Sequence, residues 1–311
     1  MKKKILVIGS SNMDLSLNVY KIPQPGETII DDGGVAYTPG GAGSNAAIAF
    51  SKLGATSLFC TKLGADVHGQ QLYKFYRDIG LDTSCIKVDH EFPTGFSVLI
   101  KEGESAPRTI SYPGANTHIS ADSMAQAFVA APDALFLSFE ISFNNALAAA
   151  KMAESKNIPI FVDAAPADKD YSLESLPFIE VFSPNEQETY EYTGIMPEGA
   201  DSSMRASLAL KRRINCKYIV IKQGARGASI WDGKHFQMIP AVRPDKVVDT
   251  TAAGDTFSAA MTLEYLKNGG DIKAAVKYGT AAAAIAVSRA GASSSVPTEE
   301  EVYNFITNRR F

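Results

Sequence analysis

The chain is short of the residues that build staples, metal clusters and membrane spans. It has 3 cysteines and 4 histidines in 311 residues. Cys60, Cys85 and Cys216 are scattered and odd in number, which suits neither a disulfide framework nor a zinc site and fits a reducing cytosol, the expected location. His68, His90, His118 and His235 form no spaced pair and read as polar-loop residues without a role. No apolar run approaches the ~20 residues of a membrane span. The one after Lys2-Lys3-Lys4 stops at Gly9, too soon for a signal peptide, and reads as a first buried strand. Basic excess is also missing: 30 Lys and Arg face 34 Asp and Glu, so a nucleic-acid partner is not expected. There is no Gly-x-Ser-x-Gly elbow, which removes the common serine hydrolases. No Gly-Lys-Ser/Thr follows a glycine-rich loop, which removes the Walker phosphate loop.

What remains is a chain that is 45% hydrophobic and 21% charged, enough to bury a sizeable core. Short β-rich runs (5–8, 57–63, 134–138, 158–163, 181–183, 218–222, 228–231) alternate with helical patterns such as 46–53, 69–79 and 146–156. That alternation predicts βαβ units, a doubly wound α/β fold with helices on both faces of a mainly parallel sheet. An alanine-rich helix over 274–287 suits close packing. Residues 15–38 and 92–112 break the rhythm. They carry alternating strands such as Glu27-Thr28-Ile29-Ile30 and Ser97-Val98-Leu99-Ile100, and read as a second small β-layer or a pair of surface hairpins.

Chemistry gathers at strand ends and helix starts. In Asp249-Thr250-Thr251-Ala252-Ala253-Gly254-Asp255, small residues run into an amphipathic helix. The free amides of such a helix start make an anion site, and Ala252, Ala253 and Gly254 leave it open. Asp255 is then either a base for a hydroxyl attacking phosphorus or a first-turn carboxylate favoured by the helix dipole. Asn12 and Asp14 follow strand one, at the carboxyl edge where ligands of parallel sheets collect; an Asx turn is the alternative. Gly40-Gly41-Ala42-Gly43 precedes a helix expected to open at Ser44 or Asn45. Glu140 ends another strand, as a ligand or as half of a salt bridge. Asn185 with Glu188 reads as a phosphate and metal pair or as a helix cap with an acidic first turn.

The Asp249–Asp255 segment and Gly40-Gly41-Ala42-Gly43-Ser44-Asn45 together resemble the two signatures of the ribokinase-like (PfkB) carbohydrate kinases, in their order and spacing. The resemblance covers nearly the whole chain. It implies one three-layer domain over residues 1–311, with 15–38 and 92–112 as a β-sheet lid that also forms a homodimer contact. It implies an ATP-dependent kinase acting on a primary hydroxyl, with Asp255 as base and the amides of Ala252, Ala253 and Gly254 as anion hole. Asn12, Asp14, Gly40, Gly41, Asn45 and Glu140 would bind the sugar. Asn185, Lys222, Gly224, Arg226, Gly227, Gly254 and Thr280 would bind the nucleotide, although Lys222 could equally be solvated. Glu188 would hold Mg²⁺ through water. Asp249, Thr251, Ala286, Arg289, Gly291 and Ser295 would surround a monovalent cation, K⁺ being the expected ion and an activator. Tyr112–Asn116 and Asp163–Ala167 also resemble ribokinase segments, which makes ribose the first expectation. Ala42 stands where ribokinases usually have Lys, which keeps open fructose, another ketose or a nucleoside, the last needing an aromatic shelf such as Tyr37 or Phe96. A sugar-binding homologue without activity is the alternative from another class.

Overall fold

The computed structural model describes residues 2–103 and 108–308. The chain opens with β1 (Lys4–Ile8), whose Ile5 and Val7 enter one core cluster while Leu6 and Ile8 enter the other. A strand buried on both faces must be apolar throughout, and this explains the unbroken Ile5-Leu6-Val7-Ile8 run. The chain then leaves for β2 (Asn12–Val19) and β3 (Val35–Gly40), and returns through α1 (Ala42–Lys52), β4 (Thr56–Gly64), α2 (Val67–Asp78) and β5 (Ile86–Asp89). A second excursion forms β6 (Gly95–Glu102) and β7 (Arg108–Tyr112). The βα rhythm resumes with α3 (Ala121–Phe128), β8 (Ala134–Ser138), α4 (Phe143–Ser155), β9 (Ile160–Asp163), β10 (Ile179–Ser183), α5 (Glu186–Thr193), α6 (Ala200–Lys211) and β11 (Cys216–Lys222). It closes with β12 (Ala228–Trp231), β13 (Phe236–Ile239), α7 (Ala253–Lys267), α8 (Ile272–Val287) and α9 (Glu299–Asn308).

Among the described residues, nine strands form the main sheet in the order β13-β12-β11-β10-β9-β8-β1-β4-β5. It is parallel from β5 to β11, and β12 and β13 add an antiparallel edge. Helices α1, α2, α7, α8 and α9 pack on one face and α3, α4 and α6 on the other, giving three layers. The expected doubly wound fold is present. Helix α8 is alanine-rich where it lies on α7, and Gly279 faces the Phe257 ring so closely that a β-carbon there would stand 3.1 Å from it. This is why small side chains dominate that contact.

The smaller sheet has the order β3-β2-β6-β7. Three expectations need correction here. Residues 27–30 are not a strand: the chain turns around Pro25 and Gly26, the Asp31 carboxylate accepts from the Tyr20 and Gly33 amides, and Ile30 is 96% exposed. The second strand of that excursion is β3 instead, from residue 35. The expected lid stretch 92–112 includes residues 104–107, which lie outside the described residues. Pairing sets the faces of this sheet. Asp14 sits opposite Thr38 and Ser97, while Leu15 pairs with Tyr37 and Met13 with Phe96. Side chains alternate across a strand, so Asn12, Asp14, Thr38 and Ser97 share a polar face and Tyr37 and Phe96 lie on the opposite, apolar one. The expected aromatic shelf is therefore turned away from Asp14. His68 is also not a loop residue: it lies on α2, its ring between Tyr37 and Phe96 with centroids at 6.1 and 5.5 Å.

Candidate active site

The site forms along the carboxyl ends of consecutive parallel strands, where main-chain direction leaves loops free to meet a ligand. From one side to the other, β1 runs into Asn12 and Asp14, β8 into Glu140, β9 ends on Asp163, β10 runs into Asn185 and β11 ends on Lys222. The N-termini of α1 and α7 close over this row.

At the β1 and β8 end, Glu140 is held by donors rather than by a salt bridge. Its carboxylate accepts from Asn12 Nδ2 (3.0 Å), from the Ser10 hydroxyl, and from the Ala42 amide (2.9 Å) at the first turn of α1. That helix opens at Ala42, earlier than expected, because Gly41 at φ +91° supplies the entry turn and Glu140 replaces a local side-chain cap. Asn12 is fully occupied: it donates to Ser97 and Glu140 and accepts from Asn116 Nδ2 (2.7 Å). It therefore orients other groups more than it offers free ones. Asp14 is different. Its Oδ1 is buried without a hydrogen-bond partner, and so is Oδ1 of Asn45. Burial, then the Glu140 charge, push the Asp14 carboxyl up to about 7. Gly40 faces it so closely that a β-carbon would stand 1.9 Å from Asp14 Oδ2. The diglycine is a steric requirement of this corner.

Asp255 lies at the start of α7 and accepts from Asn45 Nδ2 at 2.8 Å. The residue before the helix, Ala252, has φ +57° and ψ 11°, a left-handed conformation that costs a non-glycine residue about 1–2 kcal/mol. The Ala253 amide, expected in the anion hole, instead donates to Thr250 O at 3.3 Å, while by helix geometry those of Gly254 and Asp255 have no acceptor within the helix. A β-carbon on Gly254 would meet only Lys222 Nζ, at 3.8 Å. Burial, then the charge of Asp163, raise Asp255 to about 7 against the opposing Asn45 hydrogen bond. A carboxyl poised near neutrality is suited to accept a proton.

Beyond Asp255 opens a cleft of about 1130 Å³ lined by Asn185, Glu188, Lys222, Gly224, Arg226, Gly227, Gly254 and Thr280, among others. Every expected nucleotide residue lines it. Lys222 is not free in solvent: its side chain is 11% exposed and bonded to Asp163 Oδ2 at 2.6 Å. Burial alone would lower its pKa, but the charges of Asp163, Glu188 and Asp255 outweigh that and raise it. Arg226 pairs with Glu186 at the rim. Gly227, at φ +96°, abuts the main chain of residues 239–241, so its role is a tight turn. Asn185 caps α5, accepting from the Glu188 amide at 2.8 Å, while the Glu188 carboxylate bonds back to Asn185. The capping reading is correct, and the cap also fixes Glu188 at the cleft wall. Burial raises the Glu188 pKa.

The last cluster joins distant segments. Asp249 accepts from the Thr251 amide and hydroxyl (2.9 and 2.7 Å) and from the Gly291 amide (2.9 Å). The Arg289 guanidinium pairs with Glu301, which takes its charge away from Asp249, and the buried Ser295 hydroxyl donates to Ala292 O. Carbonyls of Ser293, Ser294 and Val296 already surround an ammonium, that of Lys52. Sequence reasoning did not name Asp163 and Ser258 as site residues. The signals were the strand-end Asp163–Ala167 segment, noted only for its resemblance, and for Ser258 a position one turn after Asp255.

Residues 2–299 match the pfkB family carbohydrate kinases. The chain belongs to this family. It is accordingly a phosphotransferase acting on an alcohol group. It is 30% identical to a ribokinase of Haemophilus influenzae, over 98% of this chain and 99% of that one. It is 32% identical to a bifunctional ribokinase/ribose-5-phosphate isomerase A of Fructilactobacillus sanfranciscensis, aligning over 98% of its own length but spanning only 56% of that protein. Among solved structures, Giardia lamblia ribokinase superposes with a TM-score of 0.90 at 27% identity, covering 99% of both chains. Arabidopsis thaliana ribokinase, complexed with ribose and ATP, superposes with a TM-score of 0.86 at 27% identity over 98% of this chain and 99% of that one. Among the described residues no helix is long and apolar enough to cross a membrane.

Proposed function

We propose that the protein transfers the γ-phosphoryl group of ATP to the primary hydroxyl of a small sugar, ribose first, forming ribose 5-phosphate. One observation carries this: Asp255 stands at the amides of α7 and touches Asn45, beside two buried acceptors without donors, Asp14 Oδ1 and Asn45 Oδ1. Acceptors left unpaired in a buried corner call for a ligand rich in hydroxyl donors. The polar face of the smaller sheet carries Asp14, Thr38 and Ser97 but none of the aromatic shelf residues, which favours a free sugar over a nucleoside. The similarity to ribokinases over the whole chain supports ribose among the sugars. A coupled assay with ATP, Mg²⁺ and a panel of pentoses, hexoses and nucleosides should give the highest kcat/KM with ribose. A nucleoside or ketose preferred over ribose would replace this reading.

In the reaction, the acceptor lies across Asp14, Asn45 and Glu140 with its primary hydroxyl at Asp255. Asp255 takes the proton as that oxygen attacks phosphorus, and the first amides of α7 hold the charge spreading over the transferred group. Glu188 fits a magnesium ion held through water, being a hard oxygen donor fixed at the cleft wall. The metal would neutralise phosphate oxygens there. Asn185, Gly224, Gly227 and Thr280 frame the nucleotide.

Asp249 with Thr251, Gly291, Ser295 and the carbonyls of Ala286 and Arg289 suits a weakly hydrated monovalent cation. Its carboxyl lies below the ordinary value: burial opposes this, but hydrogen bonds from Thr251 and Gly291 prevail. Turnover should rise several-fold when potassium is added to a buffer free of monovalent metal ions. Equal rates in potassium, in sodium and without either would remove the site.

The outer face of the smaller sheet exposes Val35, Tyr37, Ile110 and Tyr112 by 54–68%. Such a face suits a lid that pairs with a second copy. Ile110→Asp should convert a dimer to a monomer in size-exclusion chromatography with light scattering. A wild type that is already monomeric would overturn this.

A further inference from the structure

Asp163 is one of the most deeply buried charges in the site, 2% exposed, and no step above uses it. It ends β9, between β8, which leads to Glu140 on the acceptor side, and β10, which leads to Asn185 on the nucleotide side. Asp163 thus stands between the acceptor and nucleotide sides. Its Oδ2 accepts from Lys222 Nζ and from the Ser258 hydroxyl, each at 2.6 Å, while Oδ1 is buried without a partner. Among the described residues, Lys222 and Ser258 supply the side-chain donors to it. The ammonium so held reaches the open side of Gly254, 3.8 Å from where a β-carbon would stand, in front of the α7 amides.

We infer that Lys222 is a catalytic residue that touches the transferring phosphoryl group, and that Asp163, braced by Ser258, is the positioning residue that fixes its ammonium there. This rests on the phosphoryl-transfer reading above and goes beyond nucleotide binding. The γ-phosphorus–oxygen bond to ADP breaks as the bond to the acceptor oxygen forms, and the acceptor proton goes to Asp255. Lys222 keeps its protons and stabilises the equatorial oxygens.

The charges facing Lys222 are Asp163 on β9, Glu188 on α5 and Asp255 on α7. Those facing Asp255 are Asp163, Lys222 and Glu140, with Asn45 of α1 as hydrogen-bond donor. Asp163 raises the pKa of both groups. Its neutralisation therefore lowers both. In Asp163→Asn the acid limb of the kcat/KM profile, set by Asp255, and the alkaline limb, set by Lys222, should both move to lower pH by about one unit. The loss in kcat should be roughly 10–100-fold. Asp163→Glu, which keeps the charge, should hold both limbs at the wild-type pH. A purely structural role would lower turnover at every pH and leave the limbs in place, and that result would overturn the proposal.

Lys222→Met tests the contact itself. It should cut kcat by about 10²–10³ and weaken MgADP–aluminium fluoride by a similar factor, with MgADP affinity changed by less than about 3-fold. Equal losses for MgADP and its fluoride complex would make Lys222 a ground-state ligand and sink the inference. A wild type that phosphorylates no sugar would instead refute the underlying kinase reading, and this inference with it.

Discussion

Asp255→Asn should lower kcat by about 10²–10⁴-fold while leaving acceptor and nucleotide binding largely intact. Asparagine keeps the shape of the side chain and cannot take the proton. The wild-type enzyme should also lose activity as pH falls through about 7, where the raised carboxyl of Asp255 becomes protonated. Stability should run the other way. A carboxylate whose folded pKa exceeds its unfolded value of 3.8 binds a proton more tightly in the folded state. Its charge therefore destabilises the fold above that unfolded value, and the burden eases as pH drops below about 7. Removing the charge should stabilise the protein at neutral pH, by on the order of 2–4 kcal/mol at most. Thermal melts of the two proteins at pH 8 check the sign. A variant that retains near-wild-type turnover would end the assignment of Asp255 as base.

Gly40→Ala should damage acceptor binding selectively. The added carbon would occupy space 1.9 Å from Asp14 Oδ2 and 2.6 Å from Oδ1, so the carboxylate must leave its position. Asp14 is already held against burial and the Glu140 charge. Losing one or two hydrogen bonds to a sugar hydroxyl costs about 1–3 kcal/mol each, so the KM for the acceptor should rise roughly 10–100-fold. The KM for ATP, bound beyond Asp255, should change little. An equal rise in both constants would point to general unfolding instead of a local clash, and circular dichroism separates the two.

Much of the layout was legible because it rests on local chemistry. Apolar runs such as Ile5–Ile8 can only be strands buried on both faces, and their alternation with helical periods leads to a parallel sheet. In such a sheet, residues just past the strands share one edge, which is why Asn12, Asp14, Glu140 and Asn185 could be grouped although they lie far apart in the chain. The small residues before Asp255 marked an open helix start for the same local reason. Residues 27–30 misled because alternation without a partner strand is only a propensity, and the Asp31 turn prevailed there. Tyr37 and Phe96 misled because the register of a strand, set by its neighbours, decides which face each residue takes.

Sequence by itself determined the class of fold, the edge at which ligands gather and the open helix start before Asp255. These follow from periodicity and from what a bare amide or a carboxylate can do. Only the tertiary structure decided that Asp163 lies between the two substrate sides, that Lys222 is paired with it, and that Asp14 and Asn45 each keep an acceptor unpaired. Those properties are created when strands distant in sequence are brought side by side and water is removed from between their charges. No local pattern records that event.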